Sequence, residues 1–163
     1  MDTVPDVQGA EQLVRVLPRV LRFIARGLAS EALTLGQLRV LHVLVGGERP
    51  SSEVAEELAV RLPTLSEHVG PLVRQGFVTR RRDPADARTV LLGLTPAGLE
   101  AHRKALEAAR GRAEELLVSL TPAERARLAH ALADLGAAVA RREEGQSTPG
   151  RARASREDGE AQA

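Results

Sequence analysis

Apolar residues recur at helical spacing along most of this chain. Leu13, Leu17, Val20, Leu21, Ile24 and Leu28 step by three and four, which predicts one long helix over about residues 7–29. Thr34-Leu35-Gly36-Gln37 has the form of a capping box, in which the hydroxyl and the amide each satisfy an orphan backbone N–H. It opens a helix to about Val45, with Leu38, Leu41, Leu44 and Val45 facing inward and Gly46-Gly47 ending it. Ser51 is the expected N-cap of the next helix, with Glu53 in the favourable first turn and Val54, Ala55 and Leu58 on its core side. A further short helix, Arg61 to Arg74, carries Leu65, Val69, Leu72 and Val73 and closes at Gly76.

The period then changes. Residues 77–82 (Phe-Val-Thr-Arg-Arg-Arg) and 89–94 (Thr-Val-Leu-Leu-Gly-Leu) have strand composition and flank the turn-rich Asp83-Pro84-Ala85-Asp86-Ala87-Arg88. This predicts a hairpin. Thr95-Pro96 is an N-cap with proline at the first helical position, and a long helix follows to about Ser119. Thr121-Pro122-Ala123-Glu124 repeats the capping device before a last helix with Leu128, Leu132 and Leu135, fading near Arg142. The fold class is therefore mainly α with a small β-hairpin.

Composition narrows the function. The 163 residues are 43% apolar, enough for one core, and contain no cysteine. Thiolate metal sites, disulfides and cysteine nucleophiles are excluded. With 23 basic and 22 acidic residues, net charge carries no information about partners, and local clusters must. The aromatics are Phe23 and Phe77, which argues against base-stacking RNA platforms. No apolar run reaches the roughly 20 residues that cross a bilayer, and Met1–Val7 has two Asp and no basic residue, unlike a signal peptide. A cytoplasmic protein without a membrane partner is expected. Residues 1–6 are expected to be flexible. Glu143–Ala163, which lacks Leu, Ile, Val and Phe, is expected to be a disordered tail.

Two short helices joined by a tight turn and followed by a hairpin form a winged helix-turn-helix, whose second short helix enters the major groove of DNA. The hairpin tip suits that role. Arg80, Arg81, Arg82 and Arg88 face only Asp83 and Asp86 in a chain of net charge +1.

Three stretches of this lobe resemble the MarR family of transcriptional regulators. One is Ser52-Glu53-Val54-Ala55-Glu56-Glu57-Leu58 followed by Thr64-Leu65-Ser66. The second is Gln75-Gly76-Phe77-Val78 running into Arg80-Arg81 and Asp83-Pro84-Ala85-Asp86-Ala87-Arg88. The third is Leu94-Thr95-Pro96-Ala97-Gly98. The resemblance implies an obligate homodimer built from the first and last helices. It divides residues 7–142 into a DNA-binding lobe at about 35–94 and dimerisation helices at 7–29 and 95–142. It further implies binding to double-stranded DNA at a pseudo-palindromic operator, repressor or activator activity, and response to a small phenolic or anionic effector. In the family's wing pattern an acid lies two residues before an arginine, here Asp86 and Arg88. An arginine at the tip suits the narrow minor groove, and the acid is expected to hold it by a charge-assisted hydrogen bond.

The candidate DNA-binding residues are Ser51, Arg61, Thr64, Ser66, Glu67, His68, Arg74, Arg80, Arg82, Asp86 and Arg88. The recognition helix departs from the family pattern. Arg61-Leu62-Pro63-Thr64 replaces the usual serine cap, and no Lys or Arg lies between Arg61 and Arg74. Glu67 repels phosphates but can accept from a cytosine amino group, and both readings stay open. Pro71 removes the bond to the Glu67 carbonyl at a cost of about 3 kcal/mol, so a kink is expected there. Loss of sequence reading is the alternative function this suggests: a winged-helix dimerisation or protein-interaction module.

Arg22 and His42 are candidate ligand-binding residues, although an ion pair or surface role for Arg22 and simple packing for His42 compete. His42, His68, His102 and His130 show no i, i+3 or i, i+4 pair, so no metal site is argued. No catalytic constellation or cofactor motif occurs, and the chain is expected not to be an enzyme.

Overall fold

The computed structural model describes residues 7–28 and 32–146. Among them the elements run α1 (Val7–Leu28), α2 (Leu35–Leu44), β1 (Arg49–Pro50), α3 (Ser51–Glu57), α4 (Leu62–Arg74), β2 (Val78–Arg82), β3 (Val90–Leu94), α5 (Pro96–Val118) and α6 (Pro122–Gln146). This is the mainly helical fold with a small wing that the hydrophobic pattern predicts. The expectations for residues 1–6, Ala29 and 147–163 lie outside the described residues. None of the described helices is long and apolar enough to cross a membrane.

Local chemistry sets the boundaries. The Thr34 hydroxyl accepts from the Gln37 N–H at 3.2 Å, and the Gln37 amide oxygen accepts from the Thr34 N–H at 2.8 Å, which completes the predicted box. Thr95 caps α5 by accepting from the Gly98 N–H at 2.9 Å. Thr121 and Glu124 form the reciprocal cap of α6. Two boundaries differ from expectation. Pro50, not Ser51, occupies the N-cap of α3, and no side chain caps that end. Helix α6 continues to Gln146, four residues beyond Arg142. Glu and Gln are good helix formers, so a helix already running propagates through Glu143, Glu144 and Gln146.

The sheet has the order β1-β3-β2, all antiparallel, with Val78 opposite Leu94 and Arg82 opposite Val90. Strand β1, unforeseen in the sequence, pairs Arg49 with Leu92. Leu28, Val40, Leu41, Leu44, Val54, Leu65, Leu72 and Leu92 form the centre of the core.

The chain divides into two compact units, residues 1–116 and 117–163. Within the first, α1 and α5 approach closely at Gly27, where a Cβ would lie 2.9 Å from the Ala108 carbonyl oxygen. The Arg112 guanidinium lies 4.4 Å from the centre of the Phe23 ring at the same contact. In the second unit, α6 leaves Leu128, Leu132 and Val139 exposed.

Candidate nucleic-acid interface

Helices α3 and α4 are joined by a turn in which Ala59 takes the left-handed conformation, φ 53°. The Val60 N–H reaches back to the Ala55 carbonyl, and the Ala59 N–H to that of Glu56, both at 2.9 Å. These paired bonds form a Schellman termination, which reverses the chain sharply enough to set α4 across α3. Helix α4 ends with the same device, this time with Gly76 at φ 73°, and delivers Phe77 directly into the wing.

Leu65, Val69 and Leu72 bury one face of α4. The opposite spacing is Pro63, Glu67, Gly70 and Arg74, which is therefore the outward face. The Arg74 guanidinium leans over Gly70, its Nη1 3.5 Å from where a Cβ would stand. Gly70 puts no side chain on this face, so Arg74 is the group that stands over it. Helix α4 runs unbroken through Pro71. Burial of Val69 and Leu72 on either side of it stabilises by about 2 kcal/mol each, which outweighs the proline's cost of about 3 kcal/mol.

The other candidates on α4 divide between its flanks. His68 is half-buried and leans toward α2, where a Cβ on Gly36 would come within 2.6 Å of its ring. Ser66 lies on the opposite flank. Together with Ser51 at the start of α3 and Arg80 of β2, it lines a groove floored by Leu65, Val69 and Leu92. Ser51, Ser66 and Arg80 thus converge from three elements. Thr64 is half-buried, and Arg61 is exposed at the N-cap of α4.

In the wing, strand alternation separates the arginines. Val78, Arg80 and Arg82 share one face, with Val78 buried. Arg81 points to the other face, where its Nε donates to Glu48 Oε1 at 2.8 Å and its Nη2 donates to Oε2. Arg82 Nη1 donates to the Ala87 carbonyl at 2.8 Å, so this candidate braces the wing loop.

Asp86 does not hold the Arg88 guanidinium as expected. Its Oδ1 accepts from the Arg88 backbone N–H at 3.0 Å and its Oδ2 from the Thr89 hydroxyl at 2.8 Å. Those bonds, the backbone one first, hold the Asp86 carboxyl below its usual range. The geometry is an Asx-turn, which a local backbone donor completes more readily than a long arginine side chain could. Among the described residues, no hydrogen bond or ion pair engages the guanidinium of Arg88 or Arg80.

Among the described residues, no hydrogen bond or ion pair joins the two ligand candidates. Arg22 is exposed on α1. His42 meets His102 of α5, a partner that no sequence signal indicated.

Comparison with known proteins agrees with this geometry. Residues 33–89 match the model of the MarR family. Wild-type MarR from E. coli in its apo form is 25% identical, with a TM-score of 0.71, over 83% of this chain and 98% of that one. The transcriptional regulator BldR from Sulfolobus solfataricus is 21% identical, with a TM-score of 0.70, over 86% and 99%. BpsR from Bordetella bronchiseptica is 25% identical, with a TM-score of 0.63, over 79% and 98%; its structure concerns regulation of its DNA binding by 6-hydroxynicotinic acid. The search of curated protein sequences gave no match. Residues 33–89, from the start of the helix-turn-helix to the tip of the wing, are thus similar to the MarR family, and the chain has the winged-helix fold of MarR.

Proposed function

We propose that this protein is a dimeric, sequence-specific regulator of transcription that binds double-stranded DNA at a pseudo-palindromic operator. The observation that carries the reading is the convergence of Ser51, Ser66 and Arg80 on one groove beside the outward face of α4. Two hydroxyls and an unengaged guanidinium supply donors suited to a phosphate. Arg88, exposed at the wing tip, is placed in the minor groove in this reading. Its partners along the DNA are Arg61 at the N-cap of α4 and Thr64, Glu67 and Arg74 within it, with Asp86 and Arg82 shaping the wing.

The proposed dimer uses α1, α5 and α6, and residues 35–94 form its DNA-binding lobe. Leu13, Val14, Val16, Leu17 and Leu21 on α1, Leu99 and Leu106 on α5, and Leu128 and Leu132 on α6 are exposed. Apolar surface of that extent is rare on a monomer. A dimer with two lobes reads two half-sites related by its own two-fold axis. A small phenolic or anionic effector is proposed by analogy with BpsR, with Arg22 and His42 as candidate contacts, and the site of action is the cytoplasm.

The outward face of α4 supports a second reading, because Glu67 stands at its centre and Arg74 is its one cation. In that case the lobe binds DNA weakly and without sequence preference, and dimerisation or protein interaction is the function. Anisotropy titration against the gene's own upstream DNA and a scrambled duplex, at two salt concentrations, separates the two. Preference for the native duplex supports the regulator; equal, weak binding supports the second reading. Sedimentation tests the dimer directly, and a stable monomer at micromolar concentration overturns it.

A further inference from the structure

We propose that His42 and His102 form a proton-sensitive latch between α2 of the DNA-binding lobe and α5. The two rings come from positions sixty apart in the chain, and His42 Nδ1 lies 3.3 Å from His102 Nε2. Their centroids are 5.4 Å apart with a 32° tilt. His102 is buried and His42 is exposed, so one end of the pair reaches solvent. A hydrogen bond between two imidazoles needs one nitrogen to donate and the other to accept. The neutral pair and the singly protonated pair both satisfy this. The doubly protonated pair sets N–H against N–H and repels.

The surroundings offer no compensation for that second charge. Of the described charged groups, His42 is the one that acts electrostatically on His102. Glu100, a near neighbour on α5, is engaged by Arg103 and Lys104. Arg39, one turn before His42 on α2, donates through Nη2 to the Leu58 carbonyl. Helix α1 meets α5 farther along, at Ala108 and Arg112, and its Arg22 and Arg26 are exposed. Burial first, and the charge of His42 second, push the His102 pKa below the ordinary histidine value. The closed latch therefore binds fewer protons than the open one. Protonation therefore works against closure as pH falls below about 6.5, the unperturbed value, and does not oppose it well above that. One proton taken up per protomer shifts the equilibrium by up to about tenfold per pH unit.

Helix α5 begins at the Thr95 cap, whose hydroxyl also donates to the Gly76 carbonyl at the base of the wing. An opened latch frees α5 to turn relative to α2 about that cap. The latch itself is independent of the proposed DNA binding, whereas its effect on DNA affinity rests on that reading.

The test uses NMR of the imidazole protons in the full chain, titrated from about pH 8 to pH 5, with amide exchange along α2 and α5. His42→Gln keeps a group that can donate and accept but does not titrate, and His42→Ala removes the bond. In the wild type, His102 is expected to protonate together with faster exchange at the α2–α5 contact. In His42→Gln the His102 midpoint rises, and in His42→Ala exchange is fast at every pH. A His102 midpoint unchanged in both variants, or exchange at the contact that ignores pH in the wild type, overturns the latch. DNA anisotropy on the same samples is the second readout. Affinity that falls with pH in the wild type and stays level in His42→Gln ties the latch to DNA binding. A latch visible by NMR with no DNA binding at any pH is a failure of the functional reading alone.

Discussion

The Glu48 carboxylate clamps the Arg81 guanidinium on the face of the wing sheet opposite Arg80, with Nε to Oε1 at 2.8 Å. The run of three arginines therefore carries three different roles. Arg81 is neutralised, Arg82 braces the loop, and Arg80 is left facing the groove beside α4. Arg80→Ala is expected to flatten the salt dependence of DNA binding by up to about two log–log units per dimer, one phosphate contact from each lobe. Arg81→Ala is expected to leave the slope unchanged. Equal effects in the two variants would show that Arg81 leaves Glu48 when DNA binds.

Gly36 of α2 lies directly against the His68 ring of α4. A methyl group at residue 36 would stand 2.6 Å from two ring atoms of His68, far inside contact. Gly36→Ala is expected to destabilise the lobe by about 1–3 kcal/mol through this overlap, despite alanine's better helix propensity. Adding His68→Ala should recover most of that loss. Urea unfolding of the two single variants and the double variant gives the coupling directly, and additivity would disprove it.

Ala59 is an L-residue where the chain needs a left-handed turn, φ 53°. That conformation costs roughly 1–2 kcal/mol, a cost glycine avoids. Part of the gain is offset because glycine enlarges the unfolded ensemble by about 0.4–1 kcal/mol. Ala59→Gly is therefore expected to stabilise the lobe slightly, by roughly 0–1.6 kcal/mol. A lowered midpoint in chemical denaturation would count against the strained turn.

The features legible in the sequence are those whose partners are near neighbours. The Thr34–Gln37 box, the Thr95 cap and the Gly76 termination each complete their bonds within five residues. The Leu65/Val69/Leu72 stripe was visible for the same reason. What stayed hidden depends on contacts made across the fold. His42 meets His102 on another helix, His68 meets Gly36, and Glu48 meets Arg81. Strand β1 is two residues long and contains a proline, so it carries no strand signature of its own. For Asp86 the sequence predicts the right neighbour but the wrong atom, because spacing alone does not distinguish the Arg88 backbone from its side chain.

Pro71 leaves the Glu67 carbonyl without its helical donor in a helix that is otherwise continuous from Leu62 to Arg74. Pro71→Ala restores that donor and is expected to stabilise the lobe by up to about 3 kcal/mol. DNA affinity should be followed in the same variant, because any change in the path of α4 moves Glu67 and Arg74 relative to the groove. A destabilised variant would mean that the proline ring itself fills space the core requires.

Arg88→Ala is the most direct test of the wing. Its guanidinium is exposed and unengaged among the described residues, while its backbone N–H is tied to Asp86. The substitution therefore removes a cation and leaves the turn intact. If each wing tip inserts one guanidinium into a minor groove, a dimer loses two contacts, and the salt slope flattens by about two units with weaker binding on every sequence. Asp86→Ala acts differently. It removes the acceptor for the Arg88 N–H and the Thr89 hydroxyl, so the loop loosens and Arg88 loses its fixed position without losing its charge. Affinity should fall less than in Arg88→Ala, with the slope nearly preserved. Amide exchange at residues 88 and 89 should accelerate in Asp86→Ala alone. An Arg88→Ala protein that folds normally and keeps both affinity and slope would remove the wing from the interface and favour the module that does not read sequence.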